Sequence, residues 1–265
     1  MRETRLSLVQ YVDFYILFTI SLKNASILNM QEYQKGSLHP LTLIKNEAIS
    51  IFKEMGFIVV LGPEMEDEWH NFDALNVPQD HPARDMQDTF FIKGKDKMVL
   101  RTHTSNTQIR FMENLVKEGK KPPFAIIVPG KVFRNESTDA THEMQFFQIE
   151  GLVIGSDISV SHMKGVLLGF FKKFFAGEDV DIRIRPSFFP FVEPGFEVDL
   201  KRGDKWIELL GAGMVHPNVL KNCGLDDKKY QGFAFGIGLD RLAVMKLKIP
   251  DVRYSYQGDL RINQF

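Results

Sequence analysis

Hydrophobic positions follow two periods along this chain. From Pro40, the residues Leu41, Ile44, Ala48, Ile51, Phe52 and Met55 recur at helical spacing and stop at Gly56, which predicts a helix. Phe57-Ile58-Val59-Val60-Leu61 then runs apolar up to Gly62-Pro63, the pattern of a buried strand. Residues 64 to 95 are polar and irregular, long enough for a functional loop region. A second helix is predicted near Asn106 to Lys117. Two strands follow, Phe124 to Glu136 and Met144 to Ile154, joined by the polar Ser137-Thr138-Asp139-Ala140-Thr141-His142 as a long hairpin. Val160 to Phe175 reads as an amphipathic helix. Short strands are expected near Asp181–Ile184, Glu197–Leu200, Trp206–Gly211 and Gly232–Gly236, with a helix beginning after Gly238. Strands that are not separated by regular helices predict an α+β fold, an antiparallel sheet flanked by helices rather than a doubly wound one.

Ahead of this pattern, Tyr15-Ile16-Leu17-Phe18-Thr19-Ile20 is an apolar run behind Arg2 and Arg5. Asp13 interrupts it, no small-residue cleavage site follows, and it is too short to span a bilayer. It reads as a short strand or helix packed on the domain, and no membrane association is expected. Gln34-Lys35-Gly36-Ser37 reads as a hinge. Residues 1–35 are therefore an N-terminal extension, and 36–265 the main domain.

Composition narrows the chemistry. The 265 residues suffice for one large core, and a formal net charge of −1 supplies no overall basic field, so any RNA contact must use local patches. A single cysteine, Cys223, rules out an internal disulfide and a Cys-based zinc site, and fits a reducing cytoplasm. The seven histidines show no metal-ligand spacing; His39, His81 and His216 each simply precede a proline. No GxxxxGK[ST] loop, GxSxG or HExxH occurs, which excludes a Walker-type nucleotide site and two common hydrolase signatures.

Three segments carry unusual chemistry. Residues two apart on a strand share a face, so Arg134 and Glu136 point together on one arm of the hairpin, and Phe146, Gln148 and Glu150 on the other. Such a face is either solvated or built around a polar ligand, because buried charge without partners is costly. The extended piece Arg185 to Gly195 holds Phe189 and Phe191 between prolines, either a stiffened core strand or a slot for a flat apolar ligand. Glycines in Gly232 to Gly238 let a backbone come close to something, and Arg241 sits in the first turn of the next helix.

In order along the chain, these segments resemble the class II aminoacyl-tRNA synthetases, specifically the α subunits of bacterial phenylalanyl-tRNA synthetases. Gly62-Pro63-Glu64-Met65-Glu66 is similar to motif 1, Phe133-Arg134-Asn135-Glu136 through Gln148-Ile149-Glu150-Gly151 to motif 2, and Gly236-Ile237-Gly238-Leu239-Asp240-Arg241 to motif 3. Three further stretches add to the likeness: His70-Asn71-Phe72-Asp73-Ala74-Leu75 with His81-Pro82-Ala83-Arg84, Arg101-Thr102-His103-Thr104-Ser105, and Gly211-Ala212-Gly213-Met214-Val215-His216-Pro217. The resemblance runs from about Gly36 to Phe265. It implies that phenylalanine is joined to the α-phosphate of ATP and then passed to tRNA(Phe).

By the same resemblance, Arg134 would hold the α-phosphate and Arg241 the γ-phosphate. Phe146 would stack on adenine, Glu136 would accept from its amino group, and His142 would reach the phosphate tail. Mg2+ would bridge phosphates, with Glu193 or Glu208 as its carboxylate ligand. Gln148 and Glu150, helped by Ser105 and His103, would fix the amino-acid head group. Phe189 and Phe191 would sandwich the ring over Ala234. A β subunit, assembled as an α2β2 tetramer, and a cytoplasmic location are also implied.

The sequence departs from that family at Phe91, where tryptophan is usual, at Phe147 for histidine, and at Asp240 for glutamate. Residues 1 to 30 show no heptads, so the family's N-terminal coiled coil, which contacts tRNA, is expected to be lacking. Two other readings of the same motifs are a class II paralogue that activates an amino acid without charging tRNA, and a non-catalytic amino-acid-binding subunit.

Overall fold

The computed structural model describes residues 36–84, 89–135, 138–139 and 143–264. Contacts divide the chain into Met1–Ser37 and Leu38–Phe265, and the description below concerns the second unit. The expected element at Tyr15–Ile20 lies outside the described residues.

Pairing builds a seven-stranded sheet around one long hairpin. β4 (Phe124–Phe133) and β5 (Gln145–Gly155) pair antiparallel along ten residue pairs, from Phe124 opposite Ile154 to Phe133 opposite Gln145. β5 is interior, because β9 (Gln231–Gly238) pairs with its other edge, placing Gly236 beside Glu150 and Gly238 beside Gln148. β6 (Val180–Phe189), β7 (Val192–Arg202) and β8 (Lys205–Val215) continue the sheet as a meander that joins β9 through β8. On the opposite flank, β1 (Ile58–Val59) runs parallel to β4, the one parallel pair among the described residues. A separate two-stranded sheet pairs β2 (Met65–Asp67) with β3 (Met98–Leu100).

Period-2 alternation divides side chains between the two faces. Ile127, Ile149, Phe233, Phe235 and Ile237 point to one face and join the larger core. That face is covered by α1 (Pro40–Glu54), α4 (Val160–Phe174) and α6 (Leu239–Leu247), whose apolar stripes supply Phe52, Phe170, Phe171 and Leu242. Phe52 stacks on Phe170 at 4.4 Å between centroids and on Phe235 at 5.4 Å, so rings lock helices to sheet. Ile126, Val128, Leu152 and Ile154 point to the other face and pack with Ile109 and Met112 of α3 (Ser105–Lys117).

The three His-Pro dipeptides prove to be backbone caps. His39 opens α1 and His216 opens α5 (Pro217–Asn222), and Nδ1 of each accepts the N–H two residues on, from Leu41 at 3.2 Å and Asn218 at 3.1 Å. His81 does the same for Ala83 at 3.2 Å. Proline at the first helical position has no N–H, so position i+2 is the first donor needing a partner.

Three sequence expectations need correction. The segment Phe57–Leu61 is not a buried strand: only Ile58–Val59 pair, while Ile58 is 59 % and Leu61 75 % exposed, because β1 is an edge. The strands expected as short are ten or eleven residues long in β6, β7 and β8, extending through charged positions that face out. The piece Arg185 to Gly195 is no single extended segment but a tight hairpin, turning between Phe189 and Val192.

Candidate active site

The sheet face opposite the larger core is hollowed by glycine. Across one row of the sheet stand Glu150 on β5, Gly236 on β9, Gly211 on β8 and Glu197 on β7. A Cβ on Gly236 would lie 2.7 Å from Gln148 Nε2, and one on Gly211 would lie 3.0 Å from the Phe189 ring. The two glycines therefore create the space that Gln148 and Phe189 occupy. Above them opens a cavity of about 1130 Å³, larger than the ~300–1,000 Å³ usual for one small ligand. Two reactants can share it.

Its wall brings together His103, Ser105, Arg134, Phe146, Gln148, Glu150, Phe189, Phe191, Glu208, Ala234 and Arg241. Glu136 and His142 lie outside the described residues. Glu193 is not on this wall; it lines a separate groove of about 690 Å³, largely exposed and 3.2 Å from His216 Nε2. Phe91 is also off the wall, in an isolated bridge to Val99.

One end of the cavity is polar. Glu150 is buried, and its two oxygens accept from Thr104 N at 3.2 Å and Ser105 Oγ at 2.5 Å. Burial pushes its carboxyl up to about 7, opposed by those two hydrogen bonds and by Arg134 and Arg101. His103 Nε2 donates to the Asn71 carbonyl at 3.0 Å, which leaves Nδ1 as the acceptor of a neutral ring. Burial, with Arg134 and Arg101 adding to it, pushes His103 down to about 4.

Among the described residues, three buried polar atoms on this wall have no partner: His103 Nδ1, Gln148 Oε1 and Gln108 Nε2. Each such orphan costs about 1–3 kcal/mol. Two acceptors and a carboxylate facing one amide donor match a ligand that carries both an ammonium group and a carboxylate.

The other walls are aromatic and cationic. Phe189 and Phe191 lie 5.9 Å apart at 20°, stacked on each other across the β6–β7 turn; a sandwich needs about 7 Å between the outer rings, so the pair forms one aromatic wall rather than the expected sandwich. Ala234, level with Leu152 on β5 and Gly213 on β8, adds a small apolar floor. Arg134 donates through Nε to the Thr102 carbonyl at 3.2 Å, and its guanidinium sits 5.0 Å from the Phe146 ring centroid. Arg241 is exposed on the first turn of α6. Beside it, Asp240 accepts from Phe147 N at 2.7 Å and from the Tyr256 hydroxyl at 2.5 Å, tying α6 to β5. Burial pushes Asp240 up to about 6.

Residues outside the sequence expectation complete the site. Gln108 lies three residues beyond Ser105 on α3, hence on the same helical face, and that spacing was the available signal. Arg101 is buried and donates to the carbonyls of Lys131 at 2.7 Å and of Gly62 and Pro63 at 3.1 Å, joining three chain segments under the site. Glu197 joins Glu208 on the wall, and their carboxylates are the donor type that magnesium takes. Among the described residues, the closely grouped triad Glu66, Asp67 and His70 lies off this wall, with Arg110 paired to both acidic groups.

No helix among the described residues is long and apolar enough to cross a membrane. The fold is also that of the pyrrolysyl-tRNA synthetase from Desulfitobacterium hafniense, with a TM-score of 0.67 and 17% identity over 97% of this chain and 88% of that one. Phenylalanine–tRNA ligase alpha subunits from Rickettsia felis and Rickettsia bellii are each 50% identical to this chain over 236 residues, covering 87% of it and 66% of the relative. The one from Rickettsia typhi is equally similar. The chain thus spans about two thirds of the length of these curated relatives. The profile described as tRNA synthetases class II core domain (F) matches residues 24–265, and with the motif 2 hairpin and motif 3 helix meeting at one cavity, the chain belongs to the class II aminoacyl-tRNA synthetase family.

Proposed function

We propose that this chain is the catalytic α subunit of a phenylalanyl-tRNA synthetase, joining phenylalanine to ATP and passing the acyl group to tRNA(Phe). The observation that carries this reading is one cavity holding both a zwitterion-matched polar end and a wall of two stacked phenylalanines. The ammonium group is taken by Glu150, Gln148 Oε1 and His103 Nδ1, and the carboxylate is steadied by Gln108 Nε2. Phe189 and Phe191 hold the ring above Ala234. Held so, a carboxylate oxygen attacks the α-phosphorus of ATP as the bond to pyrophosphate breaks; a terminal tRNA hydroxyl then attacks the acyl carbonyl and releases AMP.

Phosphoryl chemistry of this kind is positioning plus charge neutralisation. Arg134 takes the α-phosphate and Arg241 the γ-phosphate, since guanidinium forks match phosphate oxygens. Phe146 offers adenine a stacking face, with Glu136 and His142 assigned to the adenine amino group and the phosphate tail. Bound Mg2+ would supply charge neutralisation on the phosphates, and Glu208, on the cavity wall, is its ligand in this reading. The curated relatives are named as α subunits, which supports a partner subunit; in this reading that partner is a β subunit and the assembly an α2β2 tetramer. The catalytic domain is set at 36–265, with 1–35 an extension, and its place is the cytoplasm.

Calorimetry with a sulfamoyl analogue of phenylalanyl-adenylate tests this directly, because intermediate mimics bind far more tightly than substrates. Binding at least about 10²-fold tighter than that of phenylalanine is expected, with none for the leucyl analogue. Equal affinity for the two analogues overturns the reading.

A further inference from the structure

One strand beyond the cavity wall, on the same face of the sheet, one guanidinium holds three carboxylates. Arg185 grips Asp199 in a bidentate pair, Nε to Oδ2 and Nη2 to Oδ1, both at 2.9 Å. Its Nη2 also lies 3.0 Å from Glu208 Oε2 and 3.0 Å from Glu197 Oε2. Glu197 and Glu208 are wall residues; Arg185 is not. Asp199 is 1% exposed and takes a second guanidinium from Arg183 at 2.6 Å, so the anchor is fixed. Three carboxylates against two guanidiniums leave this cluster one net negative charge, at a rim where Glu208 is 57% exposed. The hydrogen bond from Arg185 goes to Oε2 of Glu208 rather than to Oε1.

We propose that Arg185 is a positioning residue for a divalent cation: anchored on Asp199, it occupies Oε2 of Glu208 and holds that carboxylate at the cavity with Oε1 left to the metal. This rests on the reading of Glu208 as a metal ligand. Such behind-the-ligand partners set metal affinity by orienting the ligand, and losing one costs about 10–100-fold. Coulomb repulsion from Arg185 acts the other way, but water screens it at this exposed rim.

The test uses the full chain with ATP and Mn2+, reading free Mn2+ by electron paramagnetic resonance, beside the Mg2+ dependence of pyrophosphate exchange. Arg185→Met should weaken Mn2+ binding at least about tenfold and raise the Mg2+ needed for half-maximal exchange equally, while the KM for phenylalanine stays within about twofold. Arg185→Lys, which keeps one contact and guards against misfolding of the first variant, should fall between. Unchanged or tighter Mn2+ binding in both variants overturns the proposal. Glu208→Gln separates the two ideas. If it weakens Mn2+ binding and the Arg185 variants do not, only the role of Arg185 fails; if it changes nothing, the ligand assignment fails and takes the role of Arg185 with it.

Discussion

Burial pushes the Glu150 carboxyl up to about 7 from 4.5, and only the Ser105 and Thr104 hydrogen bonds and two arginines pull it back. A carboxyl raised in the fold stabilises the protein below its unfolded pKa and loses that contribution as pH rises through the folded value. The Glu150 contribution in the ligand-free chain therefore fades between pH 4.5 and about 7, against an opposite slope from His103, whose depression to about 4 adds stability up to pH 6.5. Glu150→Gln removes the first and keeps the second, so it should turn the slope of melting temperature against pH upward across that window. A slope unchanged by the substitution would remove Glu150 as one of its sources. Ala234 tests the ring slot. It stands level with Leu152 and Gly213 on the cavity floor, so Ala234→Gly vacates one methyl group and should admit a para-chloro phenylalanine in exchange assays. An unaltered preference for phenylalanine would place the ring elsewhere. Alternation along β5 makes the sharing of faces legible in the sequence: Gln148 and Glu150 point together, while Phe147 packs toward the larger core between Lys45 and Lys131. Arg101 was legible only as part of a family stretch, because its bonds go to carbonyls in distant segments that no local pattern reports.

At the scale of elements, the site depends on glycines where two strands meet. Gly236 has room for the backbone but not for a side chain, since an added Cβ would meet Gln148 Nε2 at 2.7 Å and Glu150 Cγ at 3.3 Å. Gly236→Ala should raise the KM for phenylalanine by about tenfold or more, the effect of roughly 1.4 kcal/mol, with little change in melting temperature. A large fall in melting temperature alongside the raised KM would mean that the glycine serves the fold rather than the ligand. The β4–β5 hairpin and the helices α1 and α4 were legible because apolar periodicity and glycine or polar breaks coincide. The length of β6–β8 was not. Their faces turned away from the larger core carry Asp181, Arg183, Arg185 and Glu197, so the apolar runs end long before the backbone pairing does. The turn at Phe189–Val192 was hidden by its own apolar residues, which look like strand but face the ligand cavity.

For the whole molecule, the cavity unites segments from nearly the full described chain, from Leu75 to Val252, so its chemistry requires the complete fold. Beyond the ring slot the wall is apolar, with Met112, Val215 and Val219, and a pocket of that kind discriminates against an added hydroxyl by only about 10²-fold. Tyrosine should be activated at about 10² below the kcat/KM for phenylalanine; discrimination beyond about 10⁴ would require a polar group beside Met112, Val215 and Val219 that these three described residues do not supply. The most direct measurement of all is ATP–pyrophosphate exchange by the purified protein with each of the twenty amino acids in turn. Phenylalanine should support strong exchange, tyrosine weak exchange, and Arg134→Ala should lower the phenylalanine rate about 10²–10³-fold, as loss of a donor aimed at developing charge does. Exchange with another amino acid in preference to phenylalanine, or a folded Arg134→Ala protein with near-normal exchange, would contradict phenylalanine activation at this cavity.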